Sequence, residues 1–205
     1  MIGIIDYGMG NTGSVKNKLD KINIDSVISK NIDVLDKCSK FILPGVGSFN
    51  KGIENLKNYG LKDFLEKKII HEKIPILGIC LGMQLMCKSS EEGNVDGLGW
   101  FNAKVIKFNV KNKLLYKVPH IGWNNVTINK SIKLFENLNE LSSFYFIHGY
   151  HVITDNEYII MNNTNYEYNF VSGIYKENIY GVQYHPEKSH NDGEKLLKNF
   201  IKIDV

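Results

Sequence analysis

Short apolar runs alternate with segments whose apolar residues recur every three or four positions through the first half of the chain. Residues 2–5 read as a buried strand, followed by the glycine-rich turn Asp6-Tyr-Gly-Met-Gly-Asn11. Val15, Leu19 and Ile22 fall on one face of a helix over 12–22. Residues 26–29 and 41–43 read as strands, and the second stops abruptly at Pro44-Gly-Val-Gly47. Helical patterns cover 49–59 and 61–71. Residues 74–79 form a further strand, and 81–88 open as a helix. Strands alternating with helices predict a mainly parallel sheet with helices on both faces.

The second half changes character. Residues 103–110, 126–128, 145–147, 158–162, 171–175 and 179–184 read as short strands, several of them consecutive. Consecutive strands predict antiparallel additions to the parallel core. Leu196, Leu197, Phe200 and Ile201 give a closing helix over 192–201 its apolar face. The expected fold is a three-layer α/β domain spanning 1–205, with no linker, repeat or low-complexity segment.

One strand end carries chemistry. Residues 74–79 lead into Gly78-Ile-Cys-Leu-Gly-Met-Gln84, so Cys80 stands at a strand-to-helix turn with a glycine two positions away on either side. The spacing matches the Gly-x-Ser-x-Gly elbow that lifts a nucleophile out of a sheet edge. Unpaired N–H groups at the start of the next helix favour a thiolate there. A thiolate nucleophile needs a base, and the base needs a group to orient it. Of six histidines, His185 stands out in Gly181-Val-Gln-Tyr-His-Pro-Glu-Lys-Ser189. It follows an apolar strand, where a parallel sheet presents its functional edge. Glu187 lies two residues on, the same side of an extended backbone, where it can hold one imidazole nitrogen while the other faces the sulfur.

Composition narrows the surroundings. Hydrophobic residues make up 43% and charged residues 23%, ordinary for a soluble globular chain. The net charge is +3, all 25 basic residues are Lys, and they are dispersed. Nucleic-acid readers cluster charge and use Arg, so no nucleic acid is expected. No apolar run approaches a membrane span, and the N-terminus lacks the form of a signal peptide. Cys38, Cys80 and Cys87 form no paired framework, which fits a reducing cytoplasm. Cys38 and Cys87 read as core thiols. No Cys-x-x-Cys or His-x-x-x-His spacing offers a metal site, and Gly8-Met-Gly10 is too short to claim a dinucleotide.

Six segments together resemble the class I glutamine amidotransferases. They are 6–11, Pro44-Gly-Val-Gly47, 78–84, Pro119-His-Ile-Gly-Trp-Asn124, Tyr145-Phe-Ile-His148 and Gln183-Tyr-His-Pro-Glu-Lys-Ser189, and they span essentially the whole chain. Within that class the chain is similar to the glutaminase subunits of imidazole glycerol phosphate synthases, from histidine biosynthesis. The resemblance implies a triad of Cys80, His185 and Glu187, a glutamyl thioester on Cys80, and no cofactor. It implies an oxyanion hole built from the Leu81 N–H and from Val46 or Gly47, where glycines allow the peptide to flip on activation. Gly47 and Gln84 match positions that hold the substrate. Asn11, His120, Trp123, Asn124 and Lys188 match positions facing a (β/α)8-barrel cyclase subunit, the expected partner in a heterodimer. Without the resemblance, 119–124 reads as a turn with one core tryptophan. A covered route suits ammonia, which is mostly protonated in open water near pH 7.

Thr12 and Gly13 replace a usual Leu-Arg, and Gly149 replaces a small hydroxyl residue. They touch the acceptor and the partner more than the chemistry, and they sustain an alternative: a paralogous glutaminase feeding another synthase, such as one adding amidino groups to bacterial surface sugars. A cysteine peptidase or deglycase of similar architecture generally carries its histidine close after the cysteine, unlike His185 here. A non-catalytic partner-binding regulator has no need of all three triad groups. The chain ends soon after His-Pro-Glu, so no fused synthase domain is expected.

Overall fold

Apolar four-residue strands fill the middle of the sheet, because a strand covered on both faces has no polar side. The computed structural model describes residues 1–203. Its first half runs β1 (Ile2–Ile5), α1 (Thr12–Lys21), β2 (Ser26–Ser29), α2 (Ile32–Leu35), β3 (Lys40–Leu43), α3 (Phe49–Asn58), α4 (Leu61–Leu65), β4 (Ile76–Ile79) and α5 (Leu81–Leu85). The second half runs β5 (Cys87–Ser90), β6 (Val95–Asp96), β7 (Phe101–Lys107), β8 (His120–Asn125), β9 (Thr127–Ile128), β10 (Ser143–His148), β11 (Tyr150–Ile153), β12 (Ile160–Tyr166), β13 (Tyr168–Lys176) and β14 (Ile179–Val182), and closes on α6 (His190–Ile201).

The strands β2-β1-β3-β4-β14 are parallel and in that order. From β14 the sheet continues through antiparallel β13 and on to β11, β7, β5 and β6, while β8 and β10 form a separate antiparallel ribbon. Alternate side chains of the parallel strands feed two cores. Ile5, Phe41, Leu43 and Ile76 pack with Leu56, Leu61 and Leu85 of α3, α4 and α5. Ile4, Ile42, Leu77 and Val182 pack with Val15 and Leu19 of α1 and Leu196 and Phe200 of α6. This is the expected three-layer α/β arrangement with antiparallel additions in the second half.

Two local expectations are corrected. The helix predicted over 81–88 stops at Leu85, because Cys87–Ser90 pairs with β7 and β6 instead. Long-range strand pairing overrides the local helical pattern there. Residues 120–125, read without the resemblance as a turn, form strand β8, and Trp123 is 47% exposed instead of buried in a core. Among the described residues no helix is long and apolar enough to cross a membrane.

Candidate active site

The parallel strands β4 and β14 are neighbours, so the segments leaving their C-terminal ends meet. Cys80 follows β4 directly, and its backbone N–H donates to Val182 O of β14 at 2.8 Å. Its φ of 54° and ψ of −107° place it in a region that L-residues rarely adopt, a strain of about 1–3 kcal/mol. The flanking glycines make the turn feasible. A Cβ on Gly82 would lie 1.7 Å from Leu43 O, and one on Gly78 would lie 2.7 Å from Met83 N. Backbone approaches this close exclude any side chain.

The sulfur borders a cavity of about 500 Å³ whose walls include Val46, Gly47, Leu81, Gln84, Glu92, His148, Gly149 and Tyr150. The Leu81 N–H, an expected oxyanion donor, is engaged: it donates to Gly45 O at 3.3 Å. Gly47, with φ at 109°, borders the same cavity as Val46. A Cβ on Gly149 would meet only Val118 and Pro119, at 3.8 and 4.0 Å, so the site has room for the hydroxyl residue it lacks.

His185 enters from the β14 side and is almost fully buried. Its backbone N–H donates to Tyr145 O at 2.9 Å, and Ser189 Oγ donates to His185 O at 2.6 Å, which pins the loop from both sides. Its Nδ1 donates to Glu187 Oε1 at 2.8 Å. Asn11 Nδ2 donates to the same carboxylate oxygen. The other ring nitrogen, Nε2, is buried and has no hydrogen-bond partner among the described residues. Burial alone would hold His185 neutral, but the Cys80 sulfur and the Glu187 carboxylate outweigh it and raise the imidazole to about 10. The site therefore holds a cationic imidazole between the Cys80 sulfur and Glu187. Cys87 is fully buried away from such partners, and burial pushes its thiol up.

The predicted site residues separate into groups. Cys80, Leu81, Val46, Gly47 and Gln84 line one cavity, with His185 and Glu187 behind the sulfur. Trp123 and Lys188 form an exposed face: Trp123 stacks on His190 at 4.8 Å, and Lys188 Nζ sits 5.7 Å from the Tyr145 ring. Asn124 is half-buried and donates to Asn165 O. His120 departs from the expected surface position. It is 2% exposed, because alternation along β8 turns it inward while Ile121 and Trp123 point out. There its Nδ1 lies 3.1 Å from His148 Nε2, and its ring stacks on Tyr166 and Phe146. Burial lowers His120 to about 4 and His148 to about 3.

Sequence reasoning assigned no role to Gln183, whose Nε2 donates to Cys80 Sγ at 3.5 Å. The available signal was a polar residue inside an apolar strand, two positions before His185. Glu92 of the cavity wall carried no signal at all; its carboxylate also accepts from the Phe49 N–H at 2.9 Å. The link from Asn11 to Glu187 joins segments 176 residues apart and leaves no local signal in the sequence.

Comparison with known proteins gives a consistent picture. The model of the family "Glutamine amidotransferase class-I" matches residues 3–203. The chain is 54% identical to imidazole glycerol phosphate synthase subunit HisH 2 of Methanococcus maripaludis strain S2, over 98% of this chain and 99% of that one. It is 43% identical to imidazole glycerol phosphate synthase subunit HisH of Leptospira interrogans, over 99% and 100%. Among solved structures, a glutamine amidotransferase superposes with a TM-score of 0.76 at 16% identity, covering 98% of this chain and 97% of that one, a likeness of fold.

Proposed function

This chain belongs to the class I glutamine amidotransferase family, and on that premise we propose that it is the glutaminase subunit of an imidazole glycerol phosphate synthase. The observation that carries the chemistry is Cys80 on its strained turn at the cavity, backed by His185 whose Nδ1 is held 2.8 Å from Glu187. Cys80 Sγ attacks the side-chain amide carbon of glutamine. The C–N bond breaks as His185 gives its proton to the departing nitrogen, and ammonia leaves a glutamyl thioester. Water, losing a proton to His185, then attacks the thioester carbon. The C–S bond breaks, glutamate departs and the sulfur regains its charge.

Each tetrahedral intermediate needs donors for its oxyanion, typically about 3–4 kcal/mol apiece. Leu81 is the first, once its N–H is released from Gly45 O. Rotating the Gly45–Val46 peptide removes that carbonyl and brings the Val46 N–H round as the second donor, with Gly45 as the hinge. Gln84 and Gly47 hold the substrate, and the Glu92 carboxylate in the cavity wall suits the α-ammonium of glutamine. Asn11, Trp123, Asn124 and Lys188 face a (β/α)8-barrel cyclase subunit in a cytoplasmic heterodimer. The cyclase consumes the ammonia in histidine biosynthesis. One glutamine amidotransferase domain accounts for the whole chain.

Thr12, Gly13 and Gly149 favour a second reading, in which the same glutaminase serves a different ammonia-consuming synthase. Glutamate release is the test: it should rise when the cyclase subunit is added, and absence of release with and without it would overturn the glutaminase reading. Cys80→Ala should abolish glutamine-dependent synthesis by the complex while ammonia-dependent synthesis continues. Stimulation by another synthase and none by the cyclase would favour the second reading.

A further inference from the structure

Besides the His185 imidazole, the sulfur of Cys80 has two polar neighbours that suit opposite protonation states. Ile147 O lies 3.8 Å away, where only an S–H can use it. Gln183 Nε2 lies 3.5 Å away and donates, which favours sulfur carrying negative charge. Gln183 is fully buried, while Val182 and Tyr184 on either side pack into the apolar core. The helix after Cys80 has only five residues, so its dipole is a weak substitute for a direct donor.

The orientation of this amide is fixed from outside. Gln84 Nε2 donates to the Tyr150 backbone carbonyl at 3.1 Å and to Gln183 Oε1 at 2.9 Å. A backbone carbonyl only accepts, so it determines which end of the Gln84 amide is nitrogen. That nitrogen requires the oxygen of Gln183 to face it, which turns the Gln183 nitrogen onto the sulfur. Reversing Gln183 would set nitrogen against nitrogen and oxygen against an anionic sulfur. The titratable neighbours are Tyr7, which feels the sulfur's charge, His185, and His148 and Glu92 in the cavity wall. Gln183 is the neutral donor among them.

From this geometry we infer that Gln183 is a catalytic hydrogen-bond donor to the Cys80 thiolate, held in register by Gln84 so that cavity wall and nucleophile form one bonded unit. The inference rests on Cys80 being the glutaminase nucleophile. The donor acts twice: it stabilises the attacking sulfur, and it stabilises the same sulfur when water expels it from the thioester. Loss of the donor therefore lowers kcat with KM nearly unchanged.

Gln183→Met keeps the volume and removes both the donor and the acceptor, and Gln183→Leu does the same with a shorter side chain. Alkylation of Cys80 by iodoacetamide at neutral pH, read by peptide mass spectrometry, should slow about tenfold in Gln183→Met, the change expected for one pH unit of lost thiolate preference. Gln183→Leu should slow it by a similar factor, and Gln84→Met, which frees the Gln183 amide to turn, should slow it less. The ultraviolet absorbance of the thiolate and kcat for glutamine with the partner subunit should fall in the same order. A folded Gln183 variant that alkylates at the unaltered rate overturns the inference. If neither Gln183 variant folds, Gln84→Met decides, and an unaltered rate there overturns it equally. Slower alkylation in the variants, from a parent chain that releases no glutamate with any partner, would keep Gln183 as a donor to the Cys80 sulfur and remove both its catalytic role and the glutaminase reading.

Discussion

His185 and His148 each form a 2.8 Å hydrogen bond through Nδ1 and each is buried, yet they end in opposite charge states. His185 donates to a carboxylate and lies beside the Cys80 sulfur, and it is raised to about 10. His148 donates to the Tyr150 carbonyl and is packed by Phe108, Phe146 and Phe170 at 5.2–5.6 Å; burial takes it down to about 3. Length of the hydrogen bond decides nothing here. A neutral carbonyl orients an imidazole without repaying the desolvation of its charged form, whereas a carboxylate and a sulfur do repay it. The two imidazoles thus differ in charge: one holds a proton beside the sulfur, the other is a fixed neutral wall of the cavity.

The strongest way to break this contrast is to remove the carboxylate. Glu187→Gln should lower glutamine turnover by a factor on the order of 10²–10⁴, the range for a disabled acid–base group, while the fold persists. Its His185 should titrate well below about 10 by NMR. Activity within a factor of two of the parent would show that the carboxylate does not set the proton on His185.

A smaller effect concerns stability against pH. His120 and His148 have folded values near 4 and 3, below the unfolded value near 6.5, so their contribution is present above about pH 6.5 and is lost as pH falls. Between pH 6.5 and 5 this amounts to about 2 kcal/mol for each. His185 has the opposite sign: its contribution is present below about 6.5 and is lost as pH rises through about 10. Urea unfolding across pH should show both limbs. His148→Gln keeps a donor for Tyr150 O and an acceptor for His120, so it should flatten the acid limb and leave the alkaline one. Equal acid slopes in variant and parent would refute the assignment.

The smallest expected effect belongs to Asn11, the second donor to Glu187 Oε1. Asn11→Ala should reduce kcat by about tenfold, since a hydrogen bond to a charged group contributes roughly 1.5–3 kcal/mol. A change in partner affinity with kcat intact would mean that Asn11 serves the interface alone.

Much of the site is legible in the sequence because its signals are local. Gly78, Cys80 and Gly82 specify a turn, and His185, Pro186 and Glu187 specify a loop, within a few residues each. The β-α alternation likewise predicted the parallel core. What was illegible depends on contacts between distant segments. Residues 86–88 leave the helical pattern because β7 pairs with them. His120 was misplaced because its direction follows from β8 being a strand registered on β10, with His120 opposite His148. Gln183 stood inside a recognised motif without a role, since Gln84, which orients it, lies 99 residues away. The engaged Leu81 N–H depends on Gly45, and no sequence pattern reports the direction of one peptide plane.

The central claim is that the resting site holds a charged imidazole at His185 between the Cys80 sulfur and Glu187, while His148 stays neutral. Titration of the ¹⁵N-labelled histidines by NMR tests it directly. The prediction is an imidazolium signal for His185 persisting through pH 8.5, lost on alkylation of Cys80, with His148 in a single neutral tautomer down to pH 5. A neutral His185 at pH 7 in the unmodified protein would contradict it.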